Sequence, residues 1–233
     1  MSTRTLTVVS GGLRQPSSTR LLADRLAAAT ESAFRRPSSG ITGDPGGSAA
    51  GVNGSAAGAG EDVKVDVVEL RDHAHDLTNH LLTGFPSPEL RETIDTLAAS
   101  DGLIVVTPIF AASYSGLFKT FFDVLEPDAL AGKPVLIAAT GGTERHSLAL
   151  EHVVRPLFTY LHAVVVPTSV YAATADWGSA DDQAQALTDR IDRAAGELAA
   201  LIAATMPAQR PDPYAEPVPF EKLLDGSAGP LHA

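Results

Sequence analysis

No cysteine occurs anywhere in the 233-residue sequence. Disulfides, thiolate metal sites and a cysteine nucleophile are therefore excluded. Positive charge is scarce: 17 Lys and Arg stand against 28 Asp and Glu, for a net charge of −11. A protein that tracks a nucleic-acid backbone needs a basic surface, so no nucleic-acid partner is expected. Any anionic ligand must be held by local donors rather than by the overall field. Long apolar runs are also missing. The longest, Leu198 to Met206, is about half the roughly 20 residues of a membrane span, so no membrane insertion is expected. Met1-Ser2-Thr3-Arg4 leads straight into a strand pattern without signal-peptide features. A cytoplasmic location is the expectation.

Hydrophobic residues make up 44% of the chain, enough for one substantial α/β domain. Strand patterns occur at Thr5 to Ser10, Val63 to Leu70, Leu103 to Thr107, Val135 to Thr140 and from Ala163 to Val166. Helical spacing separates them. Leu22, Leu26, Ala29 and Ala33 share one face after Ser17 or Ser18 as cap. Ser87-Pro88-Glu89 opens a second helix. Gly116 to Leu125 reads as a third, and Leu150 to Leu161 as a fourth, which Pro156 either kinks or starts. Ser179 to Met206 is the last, opened by a Ser179–Asp182 capping-box spacing and stopped by Pro207.

Strands alternating with helices predict a doubly wound, flavodoxin-like sheet of five parallel strands, order 2-1-3-4-5, with helices on both faces. The domain is expected over 1–206. Residues 37–60, rich in Gly, Ser and Ala, read as a flexible insertion. Residues 207–233 read as a Pro-rich tail that docks, if at all, through Phe220, Leu223 and Leu224. His73, His75 and His80 fall in what reads as a polar, solvated connector, and no metal site is assigned to them.

Three segments sit where predicted strands end: Ser10-Gly11-Gly12-Leu13-Arg14-Gln15-Pro16-Ser17-Ser18-Thr19, Thr107 to Gly116, and Thr140-Gly141-Gly142-Thr143. Ligands of open parallel sheets bind beyond the carboxyl ends of the strands. Ser10, Arg14, Ser17, Ser18 and Thr19 form a candidate phosphate loop at a helix start. A tight turn followed by an ordinary cap fits the same residues. The loop lacks the lysine of a nucleotide-hydrolysing P-loop and the third glycine of the dinucleotide fingerprint. No G-x-S-x-G marks an α/β-hydrolase. The other two loops suit a flat ring. Pro108, Ile109 and Phe110 would line it, with Gly141 and Gly142 at its edge. Ser113 and Ser115 either bond the ligand or cap the next helix. Together the loops read as a site for flavin mononucleotide (FMN).

These blocks resemble the NAD(P)H-dependent FMN reductase family, in particular reductases that supply a separate monooxygenase. Gly11-Gly12-Leu13-Arg14 with Ser17 and Thr19 is similar to G-S-x-R-x-x-S-x-[ST/N]. Pro108 to Gly116, then Lys119 and Asp123, is similar to P-x-Y-x-x-S-x-x-G-x-x-K-x-x-x-D. Thr140-Gly141-Gly142 with His146 is similar to T-G-G-x-x-x-H. Gly12 and Phe110 depart from the family's serine and tyrosine, and Ala111 from its polar residue. The resemblance implies hydride transfer from NADPH or NADH to FMN, the eleven cofactor-binding residues named above (Ser10, Arg14, Ser17, Ser18, Thr19, Pro108, Ile109, Phe110, Ser113, Gly141, Gly142), a homodimer or homotetramer, and a partner flavin-dependent monooxygenase. Hydride transfer between two cofactors needs no protein acid or base, so no catalytic acid, base or nucleophile is assigned. Two other readings stay open: a non-enzymatic flavodoxin-like carrier, and a quinone or azo reductase.

Overall fold

The computed structural model describes residues 3–36, 62–178 and 182–205. The insertion expected over 37–60, the Ser179 cap, the Pro207 stop and the tail over 207–233 lie outside the described residues. Among those residues, one sheet contains β1 (Arg4–Ser10), β2 (Val63–Glu69), β3 (Gly102–Phe110), β4 (Ser113–Tyr114), β5 (Pro134–Gly141), β6 (Val164–Val165) and β7 (Val170–Ala173). The parallel path is β2-β1-β3-β5-β6, and β7 also runs parallel to β5. The five expected strands keep their expected order, with two departures. The fifth is split into β6 and β7 around Pro167, which has no N–H for a ladder. A short antiparallel strand, β4, folds back on the end of β3.

Period-2 alternation builds a core on each face. Leu6, Val8, Ile104, Val106, Leu136 and Ala138 point to one side, where they pack with α1 (Ser18–Arg35) and α6 (Asp182–Ala204). Val9, Leu103, Val105, Val135 and Ile137 point to the other. There they meet α2 (Ala74–Thr83), α3 (Pro88–Ala99), α4 (Gly116–Asp123) and α5 (Arg155–Tyr160). A one-residue slip in β3 would exchange its two core faces, so burial enforces the register. Both faces of the central strands are covered, which is why they read as continuous apolar runs.

Capping follows the serines. Ser17 Oγ accepts from the Arg20 N–H at 3.2 Å and Ser87 Oγ from the Leu90 N–H at 3.2 Å. Ser115 Oγ accepts from the Phe118 N–H at 3.3 Å. Pro156 stands at the head of α5 but not at the start of the helical run, because Val154 and Arg155 before it are already helical. A wider π turn, Leu150–Val154, leads into it. The expected polar connector after β2 is instead a 3-10 turn, Leu70–His73, followed by α2. Buried Leu70 and Leu77 anchor both pieces against the core. His73, on the turn, meets the Thr93 hydroxyl at 3.2 Å; His75 and His80 lie on α2.

Phe158 closes the α4–α5 side of the core. It is fully buried, with its ring edge-on to Phe122 at 4.9 Å and to Phe118 at 6.3 Å between centroids. Phe158→Ala is expected to cost about 3–5 kcal/mol and to lower the melting temperature by on the order of 10 °C. Calorimetry of the purified variant checks this.

Candidate functional site

Parallel pairing aligns the strand ends. Ser10 is level with Val106, Pro108 with Thr140, and Gly141 with Ala173. The loops that leave β1, β3, β5 and β7 therefore share one rim, and a cleft of about 540 Å³ opens between them. Every expected site residue except Ser10 and Ser113 lines it. Ser10 is buried beneath the first loop. Ser113 pairs with Phe110 in the β3–β4 hairpin and is not among the residues that line the cleft.

One end of the cleft is built for an anion. The Gly11 N–H donates to the Val106 carbonyl at 2.8 Å, tying the loop to β3. A Cβ at Gly12 would lie 2.2 Å from Ser17 Oγ, so the absence of a side chain there makes room for the capping hydroxyl. Helix α1 carries no acidic residue in its first turn. Its positive dipole end and early N–H groups thus face the cleft without compensation. Arg14 is exposed on the cleft wall and has no hydrogen-bond or ion-pair partner among the described residues. Arg20 takes up two carboxylates, Asp24 at 2.7 Å and Glu69. The Asp24 hydrogen bond, foremost, raises the Arg20 guanidinium above its ordinary pKa. This pairing neutralises acid groups beside the helix start. The donor set fits a phosphate monoester. Thr19 contributes differently: its buried hydroxyl lies 2.9 Å from the Thr140 hydroxyl and joins the first turn of α1 to the end of β5.

The other end is flatter and less polar. Pro108, Ile109 and Phe110 carry β3 past the end of β1, and Phe110 remains 49% exposed. Ala111 and Ala112 make the hairpin turn with φ of 48° and 66°. Both positions of a two-residue hairpin turn want the left-handed region, which costs a residue with a Cβ of order 1 kcal/mol each. The base of the hairpin is clamped: buried Thr107 Oγ1 accepts from the Ser115 N–H at 3.1 Å. This wall, opposite Gly141 and Gly142, suits a planar ring.

Sequence patterns did not single out Thr174, which also lines the cleft, or Tyr171, whose hydroxyl donates to the Thr143 carbonyl at 2.8 Å. Burial first, and then the Asp176 and Glu144 carboxylates, push the Tyr171 phenol above its ordinary pKa. His146 lies on an exposed 3-10 turn, Glu144–His146, off the cleft wall. A larger groove of about 840 Å³ lies between α4 and α5, but it contains neither the glycine loops nor a helix start with free donors.

Residues 4–178 match the sequence family described as NADPH-dependent FMN reductase. The chain belongs to this family. Over 144 residues it is 40% identical to an FMN reductase (NADPH) of Pseudomonas aeruginosa, covering 61% of this chain and 77% of the relative. It is 39% identical over 139 residues to the NADH-dependent FMN reductase SfnF of Pseudomonas fluorescens, covering 60% of this chain and 74% of that one. Among solved structures, an oxidoreductase from Corynebacterium diphtheriae is 43% identical, with a TM-score of 0.76 over 88% of this chain and 100% of that one.

The hydroxyl pair between α1 and β5 is open to test. Thr19→Val leaves the buried Thr140 hydroxyl without its partner and is expected to cost about 1–3 kcal/mol in urea unfolding. A loss under about 0.5 kcal/mol would show that the pair contributes no more than an average surface contact.

Proposed function

We propose that this cleft binds FMN, with its phosphate at the start of α1 and its ring between Phe110 and the Gly141–Gly142 loop. The protein is an NAD(P)H:FMN oxidoreductase. The observation that carries the site reading is the convergence on one rim of a helix start with no acid in its first turn, of Arg14, unpaired among the described residues, and of the apolar end of β3. Arg14, Ser17 and Ser18 hold the phosphate together with backbone N–H groups of the first turn. Thr19 braces that turn through Thr140. Pro108, Ile109, Phe110, Gly141 and Gly142 line the ring. Ser10 and Ser113 are not among the residues that line the cleft. With FMN and a nicotinamide nucleotide bound, the cofactors themselves would supply the chemistry, a hydride transfer from the nicotinamide C4 to the flavin N5. The residues contribute alignment and exclusion of water, the terms that proximity makes large.

Reduced FMN then serves a separate flavin-dependent monooxygenase, in line with the resemblance to two-component reductases. Relatives named for NADPH and for NADH both occur, so either nucleotide is a candidate donor. No described helix is long and apolar enough to cross a membrane. The cytoplasm, where reduced nicotinamide nucleotides are made, is the location we infer. Self-association through the α4–α5 groove completes the reading: Tyr160 is 80% exposed at its edge, beside Leu157 and Leu161. Tyr160→Lys is expected to shift the sedimenting species toward monomer; an unchanged species would remove this face as the interface.

Steady-state oxidation of NADPH and NADH with and without added FMN tests the activity. Turnover that depends on FMN is expected. A flavodoxin-like carrier would give none, and a quinone or azo reductase would turn over faster with those acceptors at fixed NADPH. The phosphate assignment has its own test. Arg14→Ala is expected to weaken FMN binding by about 10- to 100-fold, as loss of a charged hydrogen bond does, while riboflavin affinity stays within two-fold. Equal losses for both ligands would contradict it.

A further inference from the structure

Tyr171 lies on β7, only 7% exposed, and its hydroxyl reaches the loop after β5, whose Gly141 and Gly142 line the cleft. A Cβ built on Gly141 would fall 2.0 Å from that hydroxyl oxygen and 3.1 Å from Cζ. The phenol therefore occupies the space where a side chain at position 141 would go. Two residues further along, the same hydroxyl donates to the Thr143 carbonyl. One polar atom thus underlies Gly141 and fastens Thr143. The near end of the loop is fastened separately by Thr140 to Thr19. Gly142, between these two anchors, has nothing within 4 Å of its side-chain position. A phenol is protonated at neutral pH, so the hydroxyl is a donor there. A hydroxyl serving only to satisfy itself in the core would need no glycine above it.

We propose that Tyr171 is a positioning residue for the flavin ring: it sets the height of the Gly141-Gly142-Thr143 loop, and so the distance at which that backbone meets the ring. The inference rests on the reading of this cleft as the FMN site. The hydroxyl acts through the loop and touches no reacting atom.

Two substitutions and their combination test this by fluorescence titration of the flavin-free protein, with melting curves and steady-state kinetics alongside. Tyr171→Phe keeps the buried ring and removes one neutral hydrogen bond, so FMN affinity is expected to fall about 5-fold. KM for FMN should rise in step, with kcat changed less than two-fold. Gly141→Ala is expected to weaken binding more, because its Cβ must displace the hydroxyl or the loop. In the double variant the nearest contact relaxes from 2.0 Å to 3.1 Å, so its loss should be smaller than the product of the two single losses. If Gly141→Ala alone fails to fold and the double variant folds, the same conflict is demonstrated. A wild-type protein that does not bind FMN would defeat the site reading itself. Wild-type binding with Tyr171→Phe within two-fold of it would overturn the role of Tyr171. So would a Tyr171→Phe variant whose melting temperature drops while its FMN affinity holds.

Discussion

The rim depends on β3, which is paired in parallel with β1 on one side and β5 on the other. Its side chains from Leu103 to Val106 are wholly buried, so neither neighbour can slip against it without exposing apolar surface. That register brings the glycine loop after β1 and the glycine loop after β5 to the two flanks of the Pro108–Phe110 extension. The cleft is a consequence of strand alignment, and side chains refine it.

Local charge placement then overrides global charge. The chain is acidic, with a net charge of −11, yet the start of α1 has no acid in its first turn. The nearby carboxylates of Asp24 and Glu69 are bound by Arg20. Arg14 has no such partner among the described residues. Over the roughly 8 Å of a Debye length at physiological salt, such a near arrangement outweighs distant surface charge. At the opposite end the hairpin holds Ala111 and Ala112 in left-handed backbone conformations. Strain of this kind persists where surrounding contacts over-determine it, here the Thr107–Ser115 clamp and the β3–β4 pairing.

Much of this was legible in the residues. Val105 and Ile137 point one way and Ile104 and Leu136 the other, so the buried strands announce themselves as unbroken apolar runs. Ser17 and Ser87 mark helix starts because capping is a local interaction. What escaped was non-local or unusual. The β3–β4 hairpin turns on two alanines, where a sequence signal would be asparagine and glycine. Helix α2 looks polar because Leu77 is its only wholly buried residue. Ser113 and Ser115 are alike in sequence; only the fold makes one a hairpin partner and the other a cap. Tyr171 meets Gly141 and Thr143 across strands, and no spacing within one segment encodes that contact.

A crystal structure grown with FMN tests the central claim most directly. The account predicts the phosphate within hydrogen-bond distance of Arg14 and the first turn of α1, with the ring between Phe110 and Gly141–Gly142. FMN lodged in the α4–α5 groove, or Arg14 turned away from a phosphate bound elsewhere, would contradict it.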